Sequence, residues 1–199
     1  MKALIIAIIR PAFTLLLVFT VLLGFVYPAV ITGLARVVFP SRAQGSLLYN
    51  GGRAVGSSLI GQAFDDPRYF WGRPSATAPV PYNGAASTGS NLGPMNPSLR
   101  AAVAARIQAL HEADPSNTRV IPIDLVTASG SGLDPDISPA AAYYQVARVA
   151  RARSMSEPDV RGMVQDAIEP RSLGILGEPR VNVLRLNLAL DRRASLPPR

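Results

Sequence analysis

The residue types best suited to chemistry lie in one short stretch, Ser129-Gly130-Ser131-Gly132-Leu133-Asp134-Pro135-Asp136. Glycines and hydroxyls at this spacing, between a strand-like and a helix-like segment, can turn successive backbone N–H groups toward an anion such as a phosphate. The same pattern also serves as a plain strand-to-helix connection that needs glycine dihedrals. No GxxxxGK[ST] string accompanies it and the only lysine is Lys2, so the connection is the preferred reading. Asp124, Asp134 and Asp136 supply hard oxygen ligands, but the EF-hand spacing is missing and no metal site is assigned.

Composition removes most other chemistries. With no Cys there is no thiol nucleophile and no Cys-type zinc site. Without a lysine beyond residue 2, Schiff-base chemistry has no amine. A Ser-His-Asp triad would have to use His111, which sits near a helix C-terminus and reads as a dipole-compatible surface residue. No catalytic set survives, which disfavours an anchored hydrolase. The pI near 10.5 invites a nucleic-acid reading. Against it, the arginines are scattered and no recognition motif is present, so no nucleic acid is assigned. The Arg148, Arg151, Arg153 group reads as a solvated helix face.

The elements that would position these residues begin with an anchor. Pro11 to Ala35 carries no charge. As a helix it spans about 38 Å, more than the ~30 Å hydrocarbon core of a bilayer. Residues 1–10 read as a tail and 11–36 as a transmembrane helix, with Pro11 at the helix start and a kink at Pro28. A cleaved signal peptide would have an apolar core of only ~7–15 residues, so Ser41-Arg42-Ala43 is not taken as a cleavage site. Lys2 and Arg10 flank one end of the run, Arg36 and Arg42 the other, and charge alone leaves the orientation open.

Residues 40–199 read as one soluble domain with mixed helices and strands, an α/β (α+β) arrangement of helices on a small sheet. Leu47-Leu48-Tyr49, turned at Asn50-Gly51 and returning over Arg53 to Phe64, predicts a hairpin. Residues 65–97 form a long loop rich in proline and punctuated by Tyr69, Phe70, Trp71 and Tyr82. Its aromatics suit either the domain's own core or a partner. A helix is expected from Pro97 to about Glu112, with Leu99, Val103, Ile107 and Leu110 as its stripe. Ile121, Ile123 and Leu125 alternate within a strand-like run from Arg119 to Val126. Ser138-Pro139 opens a helix to about Arg153, and Ser156 to Asp159 opens another with Val160, Val164 and Ile168. Val181 to Leu190 reads as a strand, with Leu184, Leu186, Leu188 and Leu190 on one face.

Several long strings in this order resemble a known family. VYPAVITGLARVVFP closes the anchor, followed by GSSLIGQAF, YFWGRPSA, PYN, SNLGPMNPSL and IPIDLVTASGSGLDPDISPAAAYYQVARVARAR. LGILGEPRVNVLRLNLALD completes the match. The chain is similar to the C subunit of Kdp-type potassium-transporting P-type ATPases over nearly its whole length. It departs at Asp136, where the family has His, and at Ile168, where it has Thr. The resemblance implies a non-catalytic accessory subunit of an ATP-driven, high-affinity potassium importer. The partners it implies are a channel-like potassium-selective subunit and a P-type ATPase subunit, which handle potassium and Mg-ATP; no cofactor is assigned to this chain itself. It further implies the inner membrane of a bacterium, with the N-terminus cytoplasmic and the domain outside. Assembly, potassium access to the channel, or a catalytic chaperone's effect on ATP affinity are the roles it implies. The candidate partner or functional loops are Tyr69, Phe70, Trp71, Arg73 and Pro74; Asn91, Leu92 and Gly93; and Ser129, Gly130, Ser131, Gly132 and Asp134. The alternative is a stand-alone, membrane-tethered envelope binding module.

Overall fold

The computed structural model describes residues 2–194, with side chains from Ala7 to Arg193; residues 195–199 of the expected domain lie outside the described part. The chain divides into two compact units after Leu47.

The first unit is one long helix. It runs as α1 (Lys2–Val21), a π-helical turn (Leu22–Val26) and α2 (Tyr27–Val38), followed by the short α3 (Pro40–Ala43). The segment Ala7–Val38 is long and apolar enough to cross a membrane, and none of it is buried. Pro11 lies inside α1, not at its start, because Ala3 to Ile9 are themselves apolar helix formers. The kink expected at Pro28 takes the form of the π-turn just before it. In an α-helix the Pro28 ring would meet the carbonyl of Gly24. Widening the turn moves that carbonyl away, and Tyr27 N–H donates to Leu22 O across the wider loop.

The second unit opens within β1 (Leu47–Asn50), which pairs with β2 (Arg53–Ser57) as a two-stranded sheet. The turn is Gly51-Gly52, both at positive φ, one residue later than Asn50-Gly51. β2 stops at Ser57, short of the expected Phe64. There the Ser57 hydroxyl accepts from Leu59 N at 3.1 Å, and Gln62 Nε2 folds back to donate to Val55 O at 2.7 Å. A serine that bonds its own backbone two residues on favours a turn over a ladder.

α4 (Pro97–Ala113) is capped by Asn96, whose side chain accepts from Ser98 N. The strand expected over 119–126 does not form. Pro122 has no N–H to give a ladder, and the chain instead makes a 3₁₀ turn over Ile123–Leu125. Leu125 is buried while Ile123 faces solvent, so the expected shared face is broken. α5 (Pro139–Ala152) and α6 (Glu157–Asp166) follow, capped by Ser138 and Ser156 as the sequence suggests. The sheet is small and antiparallel, in the order β3 (Asp136–Ile137), β5 (Arg180–Asn182), β4 (Ile168–Glu169). Ile137 and Ile168 both lie opposite Val181. Ile168 therefore belongs to a strand and not to the third helix.

The largest difference concerns the C-terminal run. Only its start is strand; Val183–Ala194 is the helix α7. Val183, Leu186, Asn187 and Leu190 are buried, a helical spacing, and Arg185 faces solvent. Alternating leucines imitated a strand because Asn187 hid the helical stripe. Leu184 is buried too, so two adjacent apolar positions broke the alternation that a half-exposed strand would keep.

The core joins Phe70, Trp71, Leu110 and Leu125 to α5, α6, β5 and α7. Asn187 holds Phe70 by both backbone groups: Phe70 N–H donates to Asn187 Oδ1 at 2.9 Å, and Asn187 Nδ2 donates to Phe70 O at 3.0 Å. Asn187→Leu would leave two buried backbone groups without partners, at ~1–3 kcal/mol each. We expect the full chain in detergent to lose about 2–5 kcal/mol in urea unfolding. A variant as stable as the parent would show that the clamp contributes nothing.

Candidate functional site

The extended stretch 69–74 is drawn across the domain with no strand beside it. Helix side chains take the place of a strand. Trp71 N–H donates to Gln145 Oε1 at 2.8 Å, and Gln145 Nε2 returns a bond to Trp71 O at 3.1 Å, repeating the Asn187 clamp one residue on. Trp71 is only 5% exposed. Two guanidiniums lie over its ring, Arg148 at 4.5 Å and Arg106 at 5.1 Å from the centroid. Arg106 also donates to Leu125 O and Gly72 O, tying α4 to the loop. Tyr69 stacks beneath Arg153 and donates to Asp191. The aromatics that left core and partner equally open thus pack into the domain itself.

The arginines on α5 are not a solvated face. Arg148 is 3% exposed and donates to Pro67 O at 2.6 Å and Gln145 Oε1 at 2.7 Å. Burial pulls its pKa down to about 10, and burial lowers Arg106 as well. Arg153 pairs with Asp191 at 2.7 Å. Arg151 alone of the three is largely exposed, reaching Asp114 at 2.8 Å.

From Trp71 the chain runs on to the glycine loop. Arg73 pairs with Asp134 at 3.1 Å and donates to Ala128 O at 3.3 Å. Ser75 is a hub: its hydroxyl donates to Gly132 O at 2.7 Å and accepts from Tyr82 N at 2.9 Å. The Tyr82 hydroxyl donates to Arg73 O, and burial pushes its pKa up. Ser87 Oγ and Thr88 N both donate to Ser131 O at 3.0 Å, and Gly61 N donates to Leu133 O at 2.9 Å. The loop 129–134 is therefore sewn to residues 61, 73–75 and 87–88.

These contacts bear on the phosphate-cradle reading. Gly132 N–H is taken by the Ser129 hydroxyl at 2.9 Å, and Leu133 N–H by the Ser131 hydroxyl at 3.1 Å. Asp134 and Asp136 put negative charge at its far end. Internal hydroxyls and neighbouring carboxylates make a poor anion cradle and a good connection. Gly132 sits at φ +67°, where a Cβ would come within 2.6 Å of Thr88 O. At Gly130 a Cβ would meet nothing.

The aspartates considered as cation ligands have other partners. Asp124 accepts from Ser138 N at 2.7 Å, ahead of α5. Asp136 pairs with Arg180 at 3.1 Å and accepts from Asn182 Nδ2 at 3.0 Å. Burial, only partly opposed by the Asn182 bond, raises the Asp136 pKa above 3.8. No cluster of three His, Cys, Asp or Glu suited to a metal occurs among the described residues.

Of the sequence candidates, Arg73, Pro74 and the 129–134 loop come together at one end of this strip, Phe70 and Trp71 are built into the core, and half-buried Tyr69 lies at its edge between Phe64, Arg153 and Asp191. Asn91, Leu92 and Gly93 stand apart. Asn91 takes a positive φ, and Gly93 O accepts from Asn96 N in the turn before α4. The sequence does not single out Gln145, Asn187 or Arg106, and it presents Arg148 as solvent-facing where it is buried. The available signal was a carboxamide or guanidinium set inside an otherwise apolar helical stripe.

A helix of membrane-spanning length joined to a small α+β domain, whose polar groups mostly hold its own loops, describes a tethered structural or accessory component. The family model for "KdpC: K+-transporting ATPase, c chain" matches residues 9–192. A potassium-transporting ATPase KdpC subunit of Sorangium cellulosum is 64% identical over 183 residues, 92% of this chain and 96% of that protein. Those of Herpetosiphon aurantiacus and Methylococcus capsulatus are each 61% identical, covering 94% and 92% of this chain and 97% and 96% of their own lengths. The chain belongs to the KdpC family.

Two substitutions test the loop. Gly132→Ala should destabilise by more than about 2 kcal/mol, combining a left-handed backbone with a clash against main chain. Gly130→Ala should stay within about 0.5 kcal/mol of the parent, as surface changes usually do. Equal urea midpoints for the two would refute the stitched geometry. Asp136 carries a pH prediction. Because its folded pKa is raised, the folded state favours the protonated form, and stability falls as pH rises from 3.8 through the raised value. Asp136→Asn removes that loss, so melting curves should show the variant gaining on the parent from about pH 4 to pH 7. A gap moving the other way would mean that the Arg180 pair outweighs burial.

Proposed function

We propose that this chain is a non-catalytic accessory subunit of an ATP-driven potassium importer, held in the bacterial inner membrane by the helix Ala7–Val38. Its N-terminus lies in the cytoplasm and its domain outside. There the domain sits beside a channel-like potassium-selective subunit and a P-type ATPase subunit, supporting assembly and potassium access to the channel. The observation that carries this reading is the pairing of a wholly unburied apolar helix with a domain whose buried polar groups clamp its own loops. The relatives named above are potassium-transporting ATPase subunits, which supplies the complex.

Placement outside also shapes any link to ATP. A bilayer core ~30 Å thick separates such a domain from cytoplasmic nucleotide. An effect on ATP affinity would then require contacts that differ between two states of the pump.

Affinity purification of the tagged full chain from detergent-solubilised membranes should bring down two larger membrane proteins. Loss of the chain should abolish growth at low potassium. A monodisperse monomer whose deletion leaves that growth intact would instead mark a stand-alone envelope module.

A further inference from the structure

The connection from β4 to β5, residues 170–179, is more elaborate than a link between two short strands requires. Ser172 and Leu176 pair as an antiparallel bridge and exchange two backbone bonds of 2.9 Å. Gly174 N donates to Arg171 O at 3.0 Å. At the base, Arg171 Nη2 reaches both oxygens of Glu178, at 2.8 and 2.7 Å. The hairpin thus holds its shape by local bonds.

Its tip is apolar and uncovered. Leu173 is 89% exposed, Ile175 75% and Leu176 58%. Leu173 also stands at φ +55°, a left-handed conformation that costs a bulky residue energy and for which glycine is the usual choice. Backbone strain of this kind concentrates where a side chain has a task beyond folding.

Charge selects the kind of partner. No ionisable residue lies between Arg171 and Glu178. The flanking arginines are engaged: Arg171 with Glu178, Arg180 with Asp136 and Glu169, Arg185 with Glu169. A lipid surface recruits exposed loops through a basic rim and interfacial aromatics. This hairpin has no aromatic, and its arginines are neutralised by carboxylates. A charge-free protein pocket suits the three aliphatic side chains better, because apolar anchors gain most where water is fully excluded.

We propose that the 172–177 tip is a docking knob, inserted into an uncharged apolar pocket on the extramembrane part of another subunit of the same complex. The proposal rests on the accessory-subunit reading and adds the surface through which it acts.

The test uses the whole complex in detergent, with a photoreactive amino acid placed at Leu173. Irradiation should give a covalent adduct between this chain and a larger partner subunit. Leu173→Ser with Ile175→Ser and Leu176→Ser should loosen partner retention at least about tenfold, the loss expected for apolar hot-spot residues. The urea midpoint of the chain should not move, since these side chains cover no core. Partners that co-purify yet give no adduct, an adduct only to lipid or to a second copy of this chain, or undiminished retention of the triple variant would each overturn the knob while leaving the accessory role standing. Failure of the unaltered chain to retain any partner would overturn both.

Discussion

A stretch of backbone buried without a neighbouring strand is the constraint on which this domain depends. Phe70 and Trp71 must bury large rings, and their peptide N–H and C=O groups go in with them. Unpaired, those four groups would cost several kcal/mol. Asn187 from α7 and Gln145 from α5 each present a carboxamide, which carries a donor and an acceptor side by side like a peptide group. Two side chains on different helices thereby do what an adjacent strand would do, and they fix where both helices stand relative to the loop.

Much of the rest follows from that arrangement. Once Trp71 is held, Arg148 and Arg106 can lie over its ring while donating to the carbonyls of Pro67, Gly72 and Leu125. Burial lowers the Arg148 pKa, and the two oxygens that it bonds carry no charge to offset that. The loop continues through Arg73 and Ser75 to the glycine-rich connection, where hydroxyls and main-chain atoms close the remaining gaps. A long irregular segment is thus ordered by side chains from regular elements, with little secondary structure of its own.

This architecture fits membership of a subunit family better than it fits catalysis. Ionisable groups near the loops are engaged in pairs or caps: Asp134 with Arg73, Asp124 with Ser138, Asp191 with Arg153. Three of the apolar side chains that the domain leaves uncovered crowd the tip of the β4–β5 hairpin, and none of the long, mostly apolar helix is buried. Such exposed faces belong to a component that works in contact with others.

The sequence by itself determined the long apolar helix, the capped starts of α4, α5 and α6, the existence of the first hairpin though not the residues of its turn, and the family. Each is written in local signals: hydropathy, a serine or asparagine before proline, strings of matched residues. Tertiary structure decided the state of Val183–Ala194, the loss of a strand at Pro122 and the fate of the α5 arginines. Alternating leucines satisfy two periods at once, and only the choice of what Asn187 touches separates them. An arginine on a helix reads as solvated until something distant, here the carbonyl of Pro67, arrives to bond it. Local patterns record what a residue prefers, whereas burial of a polar group is settled by a partner far away in the chain.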